Sequence, residues 1–154
     1  MKPIALVSAL ATSLFALTVV AERQCPLESD CVQRLCTDFN YSGESTGKKG
    51  FMMEARCKNA AGAYVFSKLN LKKCIANRDG FLHWAPDGDF RCSHCHLYET
   101  GPDDYIGLQC NFCRTKSFFL DYKWTWINLS RGIWVSKNGA LSCYSYEGEY
   151  RAPV

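Results

Sequence analysis

Apolar and polar residues alternate with period two in four stretches of the chain. Met53, Ala55 and Cys57 alternate with Glu54 and Arg56, and Ile106, Leu108 and Cys110 form the same pattern further on. From Tyr64 to Leu71, one face carries Val65, Leu69 and Leu71, and the other carries Tyr64, Phe66, Lys68 and Asn70. From Tyr122 to Leu129, Lys123, Thr125, Ile127 and Leu129 alternate with Tyr122, Trp124, Trp126 and Asn128. This period predicts β-strands. Asp79-Gly80 and Asn138-Gly139 predict hairpin turns, because glycine accepts positive φ without a Cβ clash. Lys72 to Ala76 and Ser130 to Trp134 are long enough for one helical turn each, and no segment has a long amphipathic helix period. The expected class is all-β with little helix.

The same pattern occurs twice. Leu69-Asn70-Leu71 leads through Ile75 and Asn77 to Asp79-Gly80-Phe81-Leu82, and Ile127-Asn128-Leu129 leads through Ile133 to Asn138-Gly139-Ala140-Leu141. The strands ending at Cys57 and Cys110 precede the two copies in the same way. A repeat of about fifty residues or a little more is one structural unit used twice. A unit of that size buries too little apolar area to stand alone. The copies are therefore expected to share one core, by exchanging strands. The Ala85-Pro86-Asp87-Gly88-Asp89 segment marks the linker between them, and a short linker of this kind also permits swapping between chains.

Residues 1–21 read as a signal peptide. Lys2 precedes an uncharged apolar run from Ile4 to Val20, and Val19-Val20-Ala21 offers small residues for cleavage before Glu22. The rival reading, a membrane anchor, is disfavoured because the run is marginally short for a bilayer span. After it come a Cys-bearing lead (22–35), one domain (36–146, with repeat 1 about 36–86 and repeat 2 about 87–146) and a polar tail (147–154). All 10 Cys lie beyond the apolar run, and an even count behind a signal peptide reads as a disulfide framework. The sequons at Asn40 and Asn128 fit glycosylation in a secreted, extracellular protein. Net charge is only +3 and the basic residues are scattered, which argues against a nucleic-acid partner. No later stretch could span a membrane.

The run Leu69-Asn70-Leu71 … Ile75-Ala76-Asn77-Arg78-Asp79-Gly80-Phe81-Leu82-His83-Trp84, with Gly88-Asp89-Phe90 and Cys57-Lys58-Asn59-Ala60-Ala61-Gly62-Ala63-Tyr64, resembles the cyanovirin-N homology family over about residues 34–144. The resemblance implies a pseudo-symmetric β fold whose halves interlock. It also implies a lectin for mannose-type oligosaccharides that uses neither metal nor cofactor and is not an enzyme, with up to one site at each end. It implies a Cys36–Cys57 bridge and a Cys95–Cys110 bridge, with Cys92 as a competitor for Cys95. The pairing of Cys25, Cys31, Cys74, Cys92, Cys113 and Cys143 stays open.

Sugar hydroxyls are held by groups that accept and donate at fixed angles, as carboxylates and amides do. Carried over by resemblance, one site comprises Asn77 and Asp79 in the first turn, Asp87 and Asp89 in the linker, His94, Asn111 and Arg114. Asn77 and Asp79 also fit a purely turn-forming role. The second site is expected to be weak or absent. Its turn carries Ser136 and Asn138 without an acid, Lys58 stands where the family has an acid, and Ala60 stands where a hydroxyl is expected. One working site per chain would bind modestly as a monomer, and a strand-swapped dimer would bind clustered glycans more tightly.

Tyr122, Trp124 and Trp126 form a stripe with two readings: an aromatic platform for sugar rings or a protein partner, or an outer face covered by the lead. Three other functions fit parts of the sequence. Cys92-Ser93-His94-Cys95 and Cys110-Asn111-Phe112-Cys113 would suit zinc in a reducing compartment. An enzyme could use only His83, His94 or His96, with no nucleophile motif in view. A secreted module or effector binding a host or cell-surface protein would keep the fold and lose the sugar.

Overall fold

A computed structural model describes residues 21–43, 51–99, 105–117 and 121–152 of the chain. The apolar run read as a signal peptide lies outside the described residues. Among the described residues, no helix is long and apolar enough to cross a membrane.

Each predicted strand is present, and the two copies build matching parts. In the first, β1 (Cys36–Ser42), β2 (Met52–Lys58) and β3 (Tyr64–Asn70) form an antiparallel sheet. In the second, β6 (Cys92–Glu99), β7 (Ile106–Arg114) and β8 (Tyr122–Asn128) do the same. After each third strand the chain makes a 3₁₀ turn, Leu71–Lys73 and Leu129–Arg131. These turns explain the repeated Asn-Leu pair. The Asn70 side-chain oxygen accepts the Lys72 N–H at 3.1 Å, and that of Asn128 accepts the Ser130 N–H at 2.9 Å. Each asparagine caps its turn, while Leu71 and Leu129 point into the core. A hairpin follows: β4 (Ile75–Arg78) with β5 (Phe81–Trp84), and β9 (Ile133–Val135) with β10 (Leu141–Cys143). Gly80 (φ +87°) and Gly139 (φ +85°) occupy the left-handed positions that the Asp-Gly and Asn-Gly pairs predict.

The hairpins cross over. The first hairpin packs on the second sheet, where the Leu82 N–H donates to Thr125 Oγ1 at 3.2 Å. The second hairpin packs on the first sheet, where Gly139 lies against Val65 and the Leu141 N–H donates to Ser67 Oγ at 2.8 Å. The strand exchange expected from the repeat therefore occurs within one chain. It leaves one continuous core, in which Met53, Ala55 and Leu69 of the first sheet meet Ile106, Leu108 and Ile127 of the second, with Ile75, Leu82, Ile133 and Leu141 from the hairpins. Burying these side chains together supplies what neither copy could bury alone.

The flanks do more than decorate the fold. At the junction with the stretch read as a polar tail, β11 (Tyr146–Glu147) pairs with β10, and within that stretch β12 (Glu149–Arg151) adds a fourth strand beside β3. The lead contains a short helix, α1 (Cys31–Leu35), whose Val32 enters the core. Five disulfides use all ten cysteines: Cys25–Cys31, Cys36–Cys57, Cys74–Cys143, Cys92–Cys113 and Cys95–Cys110. The two pairings implied by resemblance are both present. Cys92 does not compete for Cys110, because it stands opposite Cys113, three residues along the β6–β7 ladder. Cys74–Cys143 ties the first repeat's 3₁₀ turn to the second repeat's hairpin, and so locks the exchange.

Candidate functional site

The first turn and the second sheet meet at one end of the molecule. Asn77 holds them together: its side-chain amide donates to the carbonyls of Arg91 at 3.0 Å and Arg114 at 2.8 Å, and its oxygen accepts the Gly80 N–H at 2.9 Å. Its own N–H donates to the Asp89 carbonyl at 3.0 Å. Asp79 sits at φ +53°, and one of its carboxylate oxygens accepts the Lys116 N–H at 2.9 Å. Asn77 is therefore a joint of the fold, with both amide hydrogens committed and only one lone pair of its oxygen left over, whereas Asp79 keeps a whole oxygen.

Beside this joint runs a groove of about 400 Å³. Lys72, Asp89, Arg91, Ser93 and Arg114 supply its polar side chains, and Phe112 and Tyr122 supply aromatic wall. The Asp89 carboxylate pairs with Arg91 Nε at 2.6 Å. Both groups are exposed, so the pair contributes little to stability but presents a carboxylate and a guanidinium side by side. Among the described residues, the Arg114 side chain has no ion-pair partner. Phe112 and Tyr122 meet edge to face at 6.1 Å.

The other carried-over residues sit differently. His94, at φ +52°, stands edge-on to Phe112 at 5.0 Å and lies 3.3 Å from Ser93 Oγ. It supports the groove's rim without forming its wall. Asp87 turns back to Lys73, at 2.5 Å from the ammonium, and that hydrogen bond holds the Lys73 pKa above its ordinary value. Asn111 accepts from Gln109 and is not part of the groove. Arg91, Ser93 and Phe112 were not singled out from the sequence. The available signal was their position beside the paired cysteines of β6 and β7, where a hairpin's rungs bring them to one end.

The opposite end is closed. Glu22, Arg23 and Gln24 run alongside the second turn: Arg23 bridges Ser136, the Gln24 N–H donates to the Val135 carbonyl at 2.9 Å, and the Lys137 N–H donates to the Glu22 carbonyl at 2.9 Å. The Gln24 amide donates to the carbonyls of Lys58 at 2.8 Å and Ser136 at 2.6 Å. Ser136 is buried, and its hydroxyl donates to Glu147 at 2.6 Å, which also accepts from the Asn138 amide at 3.3 Å. The acid missing from this turn thus comes from β11.

The lead does not cover the aromatic stripe. It packs against β9 and the second 3₁₀ turn, and Tyr122, Trp124 and Trp126 stand 48%, 56% and 46% exposed. Their alternation with buried Thr125 and Ile127 forces them outward. Of the sequons, Asn40 is exposed on β1, whereas Asn128 is a turn cap and its Ser130 is buried. Cys92, Cys110 and Cys113 place their sulfurs within 4.8 Å of one another. The zinc reading needs these sulfurs as thiolates, but all three are joined in the Cys92–Cys113 and Cys95–Cys110 bridges.

Two sheets that trade hairpins around one core, stapled by disulfides and carrying a polar, aromatic-walled groove at one open end, make a doubled β module. The chain belongs to the CVNH domain family, whose model matches residues 33–142. A 35-residue stretch is 49% identical to a cyanovirin-N homolog of Tuber borchii, covering 23% of this chain and 34% of that protein, so the match spans about a third of that relative's length. Among solved structures, GzCVNH of Gibberella zeae superposes with a TM-score of 0.58 at 24% identity, over 74% of this chain and 97% of that one. A microvirin:mannobiose complex gives 0.57 at 25% identity, over 73% and 97%. TbCVNH of T. borchii gives 0.51 at 27%, over 72% and 96%.

Proposed function

We propose that this chain is a secreted, metal-independent lectin for mannose-type oligosaccharides, with one working site per chain. The observation that carries this reading is the open groove in which Asp89, Ser93 and Arg114 stand beside Phe112 and Tyr122, next to the free oxygen of Asp79. A carboxylate accepts from two neighbouring hydroxyls, a guanidinium donates to sugar oxygens, and an aromatic ring covers the C–H face of a pyranose. None of these steps needs a metal or breaks a bond, so the protein acts by binding and not by catalysis. A related fold with mannobiose bound supports the sugar class. Titration of mannobiose and longer mannose oligomers into the purified chain tests the reading. Binding by the parent should saturate at one equivalent, and Asp89→Ala and Arg114→Ala should each weaken it by about tenfold or more. Unchanged binding in both variants would refute the assignment of the groove.

A second reading, a secreted module for a host or cell-surface protein, is favoured by two observations: the Asn77 side chain is committed to backbone groups at three contacts, and the second end is closed by the lead. Silence across a glycan array at high protein concentration would favour this reading over the lectin.

A further inference from the structure

We propose that the groove between the first hairpin and the second sheet is a separate glycan-binding site, for β-linked oligomers of hexopyranoses with all-equatorial hydroxyls. This groove, of about 520 Å³, shares no residue with the mannose groove described above, and the inference stands whether or not that groove binds mannose.

Three aromatic side chains line it: Trp84 from β5, Trp126 from β8, and Tyr105 just before β7. Tyr105 and Trp126 are stacked at 5.9 Å with planes 23° apart. Tyr105 is held from behind by Tyr98, edge-on at 6.2 Å and hydrogen-bonded to it. The platform is therefore set before a ligand arrives, and little ordering cost falls on binding. An adjoining hollow of about 330 Å³ shares Tyr105, Asn128 and Arg131, and its far wall is the lead, at Glu28, Ser29 and Asp30. The Glu28 N–H donates to the Ser130 carbonyl at 3.1 Å and fixes that wall. Among the described residues, Arg131 makes no ion pair, and the Asn128 amide nitrogen is left over from its capping role.

The two hollows form one path, aromatic at one end and lined by carboxylate, hydroxyl, amide and guanidinium at the other. Aliphatic side chains are few, which disfavours an apolar peptide. Sugars match this split, with C–H faces for the rings and hydroxyls for the polar groups. An axial hydroxyl lifts a pyranose off an aromatic plane, so an all-equatorial ring stacks best and mannose, with its axial 2-hydroxyl, stacks less well. Glu28, Ser29 and Asp30 precede the family-matched span, so the far wall is this chain's addition to the domain.

The test titrates cellohexaose and N-acetylchitohexaose, with mannobiose as control, into the full mature chain followed by NMR and calorimetry. The expected result is that at least one hexamer moves the Trp126 indole N–H and Arg131 side-chain resonances. Trp126→Ala and Arg131→Ala should each weaken that binding about tenfold, as loss of one stacked ring or charge-assisted contact implies. Both side chains are outside the core, so circular dichroism should be unchanged, and mannobiose binding should be as in the parent. The proposal is overturned if neither hexamer moves these resonances at millimolar concentration. It is equally overturned if Trp126→Ala binds the hexamer as tightly as the parent, or if mannobiose moves the same resonances.

Discussion

Leu141 donates its backbone N–H to the buried hydroxyl of Ser67 at 2.8 Å, and Leu82 does the same to Thr125 at 3.2 Å. Leu141 and Leu82 are repeat partners, as are Ser67 and Thr125. In each half, a hairpin leucine whose N–H is not taken up by a ladder bond finds its acceptor in a hydroxyl of the other half's third strand. Both hydroxyls are buried, so removing one strands an amide away from water.

Ser67→Ala and Thr125→Val should therefore each destabilise the fold by about 1–3 kcal/mol, the cost of an unpaired buried donor. Denaturant unfolding measures this, and mannose affinity should not change. A loss below a few tenths of a kcal/mol in both variants would contradict the role of these joints.

Cys74–Cys143 spans 69 residues of sequence and crosses between the repeats. Replacing both with alanine should cost about 4 kcal/mol by the loop-entropy relation. It should also raise the fraction of dimer after refolding at high concentration, because the exchanged hairpins can then find a partner chain. Size-exclusion chromatography after refolding reports the second effect. The intact mass of the native chain should fall about 10 Da below the reduced value, because five bridges remove ten hydrogens.

Asp87 and Asp89 are two residues apart but differ in consequence. Asp87 faces Lys73, and Asp89 lines the groove. Asp87→Ala should leave mannose binding within about twofold of the parent, whereas Asp89→Ala should weaken it by tenfold or more, as loss of a charge-assisted contact predicts. Isothermal titration of the two variants side by side decides this. Equal effects would mean that the carboxylates act through the linker's shape and not through contact.

Burial, with a hydrogen bond to Tyr105, pushes the Tyr98 phenol up to about 12. The native state thus favours the neutral phenol more than the unfolded chain does, where it ionises near 10. This stability is fully present below pH 10 and should be lost as pH rises from about 10 to 12. Tyr98→Phe should flatten that part of the stability profile, measured by thermal unfolding against pH.

The fold was legible because its rules are local. The period of two set the strands, and the Asn-Leu pairs and Gly turns punctuated them identically twice. That Trp124 and Trp126 face solvent followed from Ile127 facing inward. The site was only half legible. Asn77 and Asp79 suit hydroxyl chemistry by residue type, yet the crossing of hairpins puts Asn77 against the backbones of Arg91 and Arg114, a contact no local pattern encodes. The lead's place was hidden for the same reason: Gln24 finds Lys58 and Ser136 far along the chain. Likewise, nothing near Glu147 in sequence marks it as the acid of the second turn.

Because each hairpin lies under the opposite sheet, the molecule has no part that belongs to one copy alone. A duplicated gene of this shape is free to diverge at its tips and is held at its seams. The tips have already parted, with Asn77-Arg78-Asp79 at one and Ser136-Lys137-Asn138 at the other, while Leu82 with Thr125 and Leu141 with Ser67 still answer one another across the middle. New specificity can accordingly be grafted onto either extremity by exchanging a turn, provided that the leucine–hydroxyl pairs travel unchanged.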